Sequence, residues 1–309
     1  MNIVYMGTSV FAVPSLQSLI ASRHQVVGVV SQPDRPRDRG KRTSPTPIKE
    51  IARQHGIPVY QPARIKSPEA IEQIKLWQPE LIVVVSYGQI IPREILEYPA
   101  YGCINVHASL LPRYRGAAPI QRALMDGEKI SGITTMFMDE GLDTGDIILQ
   151  LEIPVKDEYD HGQLEAILAE KGALLLAETI GQVEKGTAPR IPQQEELATY
   201  AARITREDEK IDWSQPAEII HNRIRALSPN PGAWTTIDNN KTKIYKSRVI
   251  SNDESGVIAQ IVKVGNEGFS VQSGKGILEI LEVQRAGKKR MPAIDFVRGC
   301  QLRPGTLLA

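Results

Sequence analysis

Residues 81–86 read Leu-Ile-Val-Val-Val-Ser, five consecutive apolar positions with no polar alternation. A strand of that kind must be covered on both faces, as a central strand of a parallel sheet is. Similar runs occur at 3–7, 26–30 and 102–107. Between them lie helical patterns at 11–21, at 47–54 with Pro47 in the first turn, at 68–77 and at 92–96. Strands alternating with helices build right-handed βαβ units and so a parallel sheet, which makes this half of the chain α/β. Further strands are expected at 132–138 and 146–153. The longest helix falls at 164–183, with Leu164, Ile167, Leu168, Leu174, Leu175 and Ile180 along one face.

The texture then changes. Residues 186–194 are rich in Pro, Gly and Gln, the composition of a linker. Beyond about residue 205, a helix at 216–226 precedes short β-like runs at 242–250, 256–264, 268–271 and 277–284. Gly, Asn and Ser separate them, a spacing that suits a small antiparallel barrel. A length of 309 residues accommodates about two domains. The expected division is 1–188, a linker at 189–204, and 205–309.

Several function classes fall away on composition. Two cysteines, Cys103 and Cys300, cannot make a disulfide scaffold or a Cys-rich metal site. No apolar run approaches the ~20 residues of a membrane span, and the N-terminus lacks the basic start of a signal peptide. A cytoplasmic protein is expected, with no membrane partner. The formal net charge is only +1, but it is unevenly spread. Residues 33–49 carry +4 and residues 241–309 carry +6, which leaves −9 elsewhere. An acidic body with two basic patches suits a polyanion docking at defined places, or simply charges clustered on solvated loops.

Ligands of an open parallel sheet bind beyond the carboxyl ends of its strands. The first such end, Gly7-Thr8-Ser9-Val10-Phe11-Ala12, lacks the three-glycine dinucleotide fingerprint. The strand ending Cys103-Ile104-Asn105-Val106-His107 is more telling. Side chains two apart on a strand share a face, so Asn105 and His107 should point into the cleft together. The loop that follows, Ser109-Leu110-Leu111-Pro112, could wall a flat ligand. An acidic segment, Asp139-Glu140-Gly141-Leu142-Asp143-Thr144-Gly145-Asp146, does not match a calcium loop. It is either an ordinary acidic turn or the device that brings Asp143 to His107. No histidine has a second ligand at metal spacing, so no metal is expected. Asn and His can donate to a developing oxyanion, and an Asp beside the His can orient it. Such a set suits direct acyl transfer between two bound substrates. A non-catalytic RNA-binding protein and a nicotinamide enzyme are rival readings. The trio argues against the first and the absent glycine fingerprint against the second.

Asn105-Val106-His107-Ala108-Ser109-Leu110-Leu111-Pro112-Arg113-Tyr114-Arg115-Gly116-Ala117-Ala118-Pro119-Ile120-Gln121 closely resembles the folate-dependent formyltransferases, as does Gly141-Leu142-Asp143-Thr144-Gly145-Asp146. The resemblance runs essentially the full length, from the first strand through Gln32-Pro33-Asp34-Arg35-Pro36 to Ala286-Gly287-Lys288-Lys289-Arg290-Met291. Ala108 departs from it, standing where Gly is more usual. The resemblance implies a Rossmann-like N-terminal domain and an OB-like β-barrel C-terminal domain. It makes Asn105, His107 and Asp143 catalytic and assigns Ser109, Leu110, Leu111 and Pro112 to folate binding. It implies 10-formyltetrahydrofolate as a co-substrate, with no tightly bound cofactor. Family members differ in the amine they formylate. The second domain and the basic loop imply initiator methionyl-tRNA as the acceptor here, contacted by Arg35, Arg37, Arg39, Lys41 and Arg42. A monomer is expected.

Overall fold

The computed structural model describes residues 1–36, 43–251 and 256–309, which form two compact units. The first unit comprises Met1–Pro119, Ile130–Pro154 and Glu165–Ala201. Its centre is a seven-stranded sheet in the order Ile147–Pro154, Ile130–Phe137, Cys103–His107, Leu81–Val85, Asn2–Gly7, Gln25–Val30, Val59–Tyr60. The strands from Cys103–His107 to Val59–Tyr60 run parallel, Ile130–Phe137 is antiparallel to Cys103–His107, and the edge strand Ile147–Pro154 is antiparallel to Ile130–Phe137. This is the mostly parallel α/β sheet expected from the buried apolar runs. Leu81–Val85 is buried at every residue, as a strand without polar alternation requires.

Helices cover both faces. On one, Ile74 of Pro68–Leu76 and Ile95 of Arg93–Leu96 pack with Val4, Met6, Ile82 and Val84. On the other, the Tyr5 hydroxyl donates to the Ala12 carbonyl at 2.5 Å, just ahead of helix Val13–Ile20. Thr179 of the long helix His161–Glu184 hydrogen-bonds Thr135 on that same face at 2.8 Å. Register aligns Met6, Val84, Asn105 and Met136 in one row across four strands. Asn105 therefore belongs to the face opposite the long helix, and His107, two residues on, belongs to it as well.

Residues 189–204 were expected to be a linker. Within that span, Ile191 forms an antiparallel bridge with Ile147, and Tyr200–Ala201 pairs in parallel with Arg115–Gly116. The second unit takes Ile120–Lys129, Val155–Leu164 and Ala202–Ala309. Its antiparallel sheet runs Ala233–Ile237, Asn240–Ser251, Ile277–Arg285, Phe269–Gln272, Ile261–Val264, with Met291–Pro292 paired to Ile277–Arg285. The two outer strands are joined by the end of the chain. Leu308 bridges Ile237 and Leu307 bridges Gln260, so the sheet closes as a barrel with its edges satisfied. Ile220 and Ile224 of helix Ala217–Ala226 and Phe296 of helix Ala293–Cys300 fill its core against Phe269 and Ile280. Among the described residues, no helix is long and apolar enough to cross a membrane.

Candidate active site

The strand Cys103–His107 delivers Asn105 and His107 at its carboxyl end, both buried. Asp143 comes from the turn joining Ile130–Phe137 to Ile147–Pro154. The structure brings these three together. The Asn105 amide Nδ2 donates to Asp143 Oδ1 at 3.2 Å, and His107 Nδ1 lies 3.6 Å from Asp143 Oδ2. His107 Nε2 sits 2.9 Å from the Tyr114 carbonyl, to which it can only donate. Nε2 therefore carries a proton, while Nδ1 faces the carboxylate from beyond hydrogen-bond distance. Asp143 also accepts from the Gly116 backbone N–H at 2.8 Å.

Local backbone geometry makes this arrangement possible. Asp143 adopts φ +54°, a left-handed conformation that Asp tolerates better than most residues. Two residues later, a Cβ on Gly145 would lie 1.8 Å from the Phe137 carbonyl oxygen, so only glycine lets the turn close. Inside the turn, Asp139 Oδ1 accepts from the Gly141 N–H at 3.0 Å and the Thr144 hydroxyl at 2.7 Å. Its tip, Asp139 to Leu142, is exposed.

The loop after His107 is held from below. Ser109 spends its hydroxyl on the Arg113 carbonyl at 2.6 Å. The Thr134 hydroxyl donates to the Ser109 carbonyl at 2.7 Å and accepts from the Leu111 N–H at 3.1 Å. Gln150 Nε2 donates to the Leu111 carbonyl at 2.8 Å. Leu111 is buried with Met136 and Ile147, and Leu110 leans over Gly132, where a Cβ would meet it at 2.4 Å. These leucines anchor the loop to the sheet. Leu110 and Pro112 are half-buried.

Four of the basic residues, Arg37, Arg39, Lys41 and Arg42, lie outside the described residues. Arg35 opens a two-residue strand whose backbone pairs it with Ser44. The stem of this segment is tied by Lys49 Nζ to Asp34 Oδ2 at 2.5 Å and by the Ser31 and Thr46 hydroxyls at 2.7 Å. Hydrogen bonds from Gln61 and then Lys49 hold the Asp34 carboxyl below the usual carboxylate range.

The sequence reading missed the Tyr114 carbonyl and the Gly116 N–H, because main-chain groups leave no mark in a motif. It also missed Arg115 and Gln193. Arg115 lies inside the formyltransferase-like segment 105–121, but Gln193 stands in a Pro-Gln-Gln stretch whose composition signals only a linker. Among the described residues, no group of three or more His, Cys, Asp or Glu side chains could hold a metal ion.

The chain is similar to known proteins along essentially its whole length. A formyl transferase family model matches residues 1–180, and a formyl transferase C-terminal domain model matches residues 203–301. A methionyl-tRNA formyltransferase from Syntrophomonas wolfei is 61% identical over 100% of this chain and 98% of its own. Another, from Moorella thermoacetica, is 51% identical over 100% of this chain and 99% of its own. Among solved structures, the sugar 3N-formyltransferase WlaRD, crystallised with dTDP and 5-N-formyl-tetrahydrofolate, superimposes with a TM-score of 0.67. It covers 94% of this chain and 99% of its own at 21% identity, a likeness of fold. By the model match over more than half its length and by its end-to-end likeness to these relatives, the chain belongs to the methionyl-tRNA formyltransferases of the formyl transferase family.

Proposed function

We propose that the protein transfers the formyl group of 10-formyltetrahydrofolate to the α-amino group of methionine esterified to initiator tRNA. The observation that supports this reading most is the meeting of Asn105, His107 and Asp143 within 3.2–3.6 Å at the carboxyl end of the sheet. The uncharged amine attacks the formyl carbon, a C–N bond forms, and the carbonyl oxygen becomes an oxyanion. Asn105 offers its second amide N–H to that oxygen, the first being engaged with Asp143. In this mechanism a protonated His107 stabilises the oxyanion alongside Asn105. Asp143, whose side chain is 14% exposed, receives the proton shed by the amine. That proton passes to N10 of the folate as the C–N10 bond breaks.

In this reading the loop of Ser109, Leu110, Leu111 and Pro112 lies against the folate. The basic segment 35–42 and the second unit hold the tRNA, and the enzyme works as a monomer in the cytoplasm. Folate serves as a co-substrate. Fixing two large substrates in line accounts for much of the acceleration, since positioning can supply about 7–11 kcal/mol. The test is to offer the pure protein and 10-formyltetrahydrofolate either charged initiator methionyl-tRNA or glycinamide ribonucleotide. Formylation of the tRNA in preference is expected. Preference for the small ribonucleotide would overturn the acceptor assignment.

A further inference from the structure

The turn that carries Asp143 is exposed at its tip, yet its carboxylate must stand within a fraction of an ångström of its working position. Its inner half is tied down from an unexpected direction. The Gln193 amide Nε2 donates to two main-chain carbonyls, that of Asp143 at 2.9 Å and that of Gly145 at 2.8 Å. The other end of the amide, Oε1, accepts from Arg115 Nε at 3.1 Å and from Arg115 NH2 at 3.0 Å. With all these bonds made, the amide cannot be reversed, because reversal would set its oxygen against two carbonyls and its N–H groups against a cation.

Arg115 is itself immobilised. Its side chain is fully buried, and NH1 donates to both carboxylate oxygens of Glu195 at 2.9 and 2.8 Å. Burial works against its charge, but hydrogen bonds to Glu195 and Tyr200 outweigh that and hold its pKa above the ordinary value. The backbone flanking Arg115 meets the same site directly. Tyr114 accepts from His107 and Gly116 donates to Asp143. One rigid segment therefore reaches His107 through a carbonyl, the Asp143 carboxylate through an N–H, and the Asp143 main chain through Gln193.

We infer that Gln193 is a positioning residue for formyl transfer: it couples the buried Arg115 guanidinium to the left-handed backbone of Asp143 and holds the carboxylate against Asn105 and His107. Gln193 touches no reacting atom. The inference rests on the proposed roles of Asn105 and Asp143. Without the clamp, the turn keeps its internal Asp139 hydrogen bonds and its glycine closure, so the fold survives while the carboxylate wanders. Misplacement of a catalytic group by about 1 Å can cost on the order of 100-fold in rate.

Two variants of the full chain test this. Gln193→Glu keeps the shape and the acceptor for Arg115 but replaces the two donations with repulsion against two carbonyls. Gln193→Met keeps the length and removes the donors without adding charge. The measurements are kcat, KM for methionyl-tRNA, KM for 10-formyltetrahydrofolate, and the thermal midpoint, alongside Asn105→Ala and Asp143→Ala. Both Gln193 variants are expected to fold and to lose roughly 10–100-fold in kcat, with each KM within about threefold of wild type. If the Glu variant does not fold, the Met variant decides alone. A folded variant with kcat within twofold of wild type, or a loss confined to KM, overturns the inference. Collapse of Asn105→Ala and Asp143→Ala beside intact Gln193 variants would sink this inference only. Full activity in Asn105→Ala and Asp143→Ala would sink the proposed mechanism and this inference with it.

Discussion

In the proposed mechanism Asn105 and Asp143 illustrate how few atoms carry the chemistry. One Asn105 N–H holds Asp143 at 3.2 Å, and the proposed mechanism gives the other to the formyl oxygen. That interaction grows only as negative charge develops. Asn105→Ala should therefore lower kcat by about 10²–10³-fold, the usual cost of losing one oxyanion donor, with little change in either KM. A variant that unfolds, but whose folded fraction keeps full specific activity, would make Asn105 structural instead. Two residues earlier on the same strand, Cys103 faces the core, and burial pushes its thiol up to about 12. At pH 8 only about one part in ten thousand is thiolate, the reactive form. A thiol reagent should label native protein at Cys300, which is half-buried, and reach Cys103 only after denaturation. Equal labelling of both thiols under native conditions would show that this strand opens readily. Strand parity puts Cys103 on the face of Asn105 and His107, and only the packing of helix Arg93–Leu96, whose Ile95 and Leu96 carbonyls lie 3.6 and 3.8 Å from its Sγ, buries it. The Tyr114 carbonyl on His107 was equally illegible in the sequence, since any residue there would present the same group.

At the scale of elements, the barrel of the second unit depends on its last residues. The Thr236 N–H donates to the Ala309 carbonyl at 2.6 Å and the Ala309 N–H returns a bond at 3.0 Å. On the other edge, the Leu308 N–H donates to Ala259 and the Ile261 N–H to Thr306, both at 2.8 Å. Leu308 is buried in the core beneath them. Net hydrogen-bond contributions of about 1 kcal/mol each, plus about 1.5–3 kcal/mol for burying the leucine, make this closure worth several kcal/mol. Deleting residues 306–309 should lower the thermal midpoint by roughly 10 °C and expose two sheet edges to aggregation. An unchanged midpoint in calorimetry would show that the barrel stands without its closing segment. This element was illegible in the sequence because it is short and has no alternation. Helix Ala293–Cys300 escaped for a similar reason. Its eight residues bury only Ala293, Phe296 and Val297, and the tilted contact of Phe296 with Phe269, centroids 6.4 Å apart, is made only in the folded unit. The long runs of the parallel sheet were read correctly, whereas the two-residue strand Val59–Tyr60 was too short to register.

For the whole molecule, charge placement outweighs charge total. Residues 241–309 hold +6 in a chain of net +1, and Lys288 and Lys289 stand exposed within that stretch. If this region meets tRNA phosphates, binding releases counterions and weakens steeply with salt. Replacing Lys288 and Lys289 by alanine should flatten the plot of log Kd against log salt by about one to two units, with KM for folate unchanged. An unaltered slope would move the phosphate contacts to the basic segment 35–42. What the amino-acid order determined by itself is whatever depends on neighbours along the chain. Periodicity specified the α/β sheet, and strand parity set Asn105 and His107 on one face. The tertiary structure decided what joins distant segments. Asp143 reaches Asn105 across 38 residues, and Gln193 reaches the Asp143 carbonyl across 50. Those contacts run through main-chain carbonyls and N–H groups that every residue carries, so no side-chain pattern announces them. They appear only when the sheet brings the strand ends together and packing excludes the water that would otherwise satisfy the same groups.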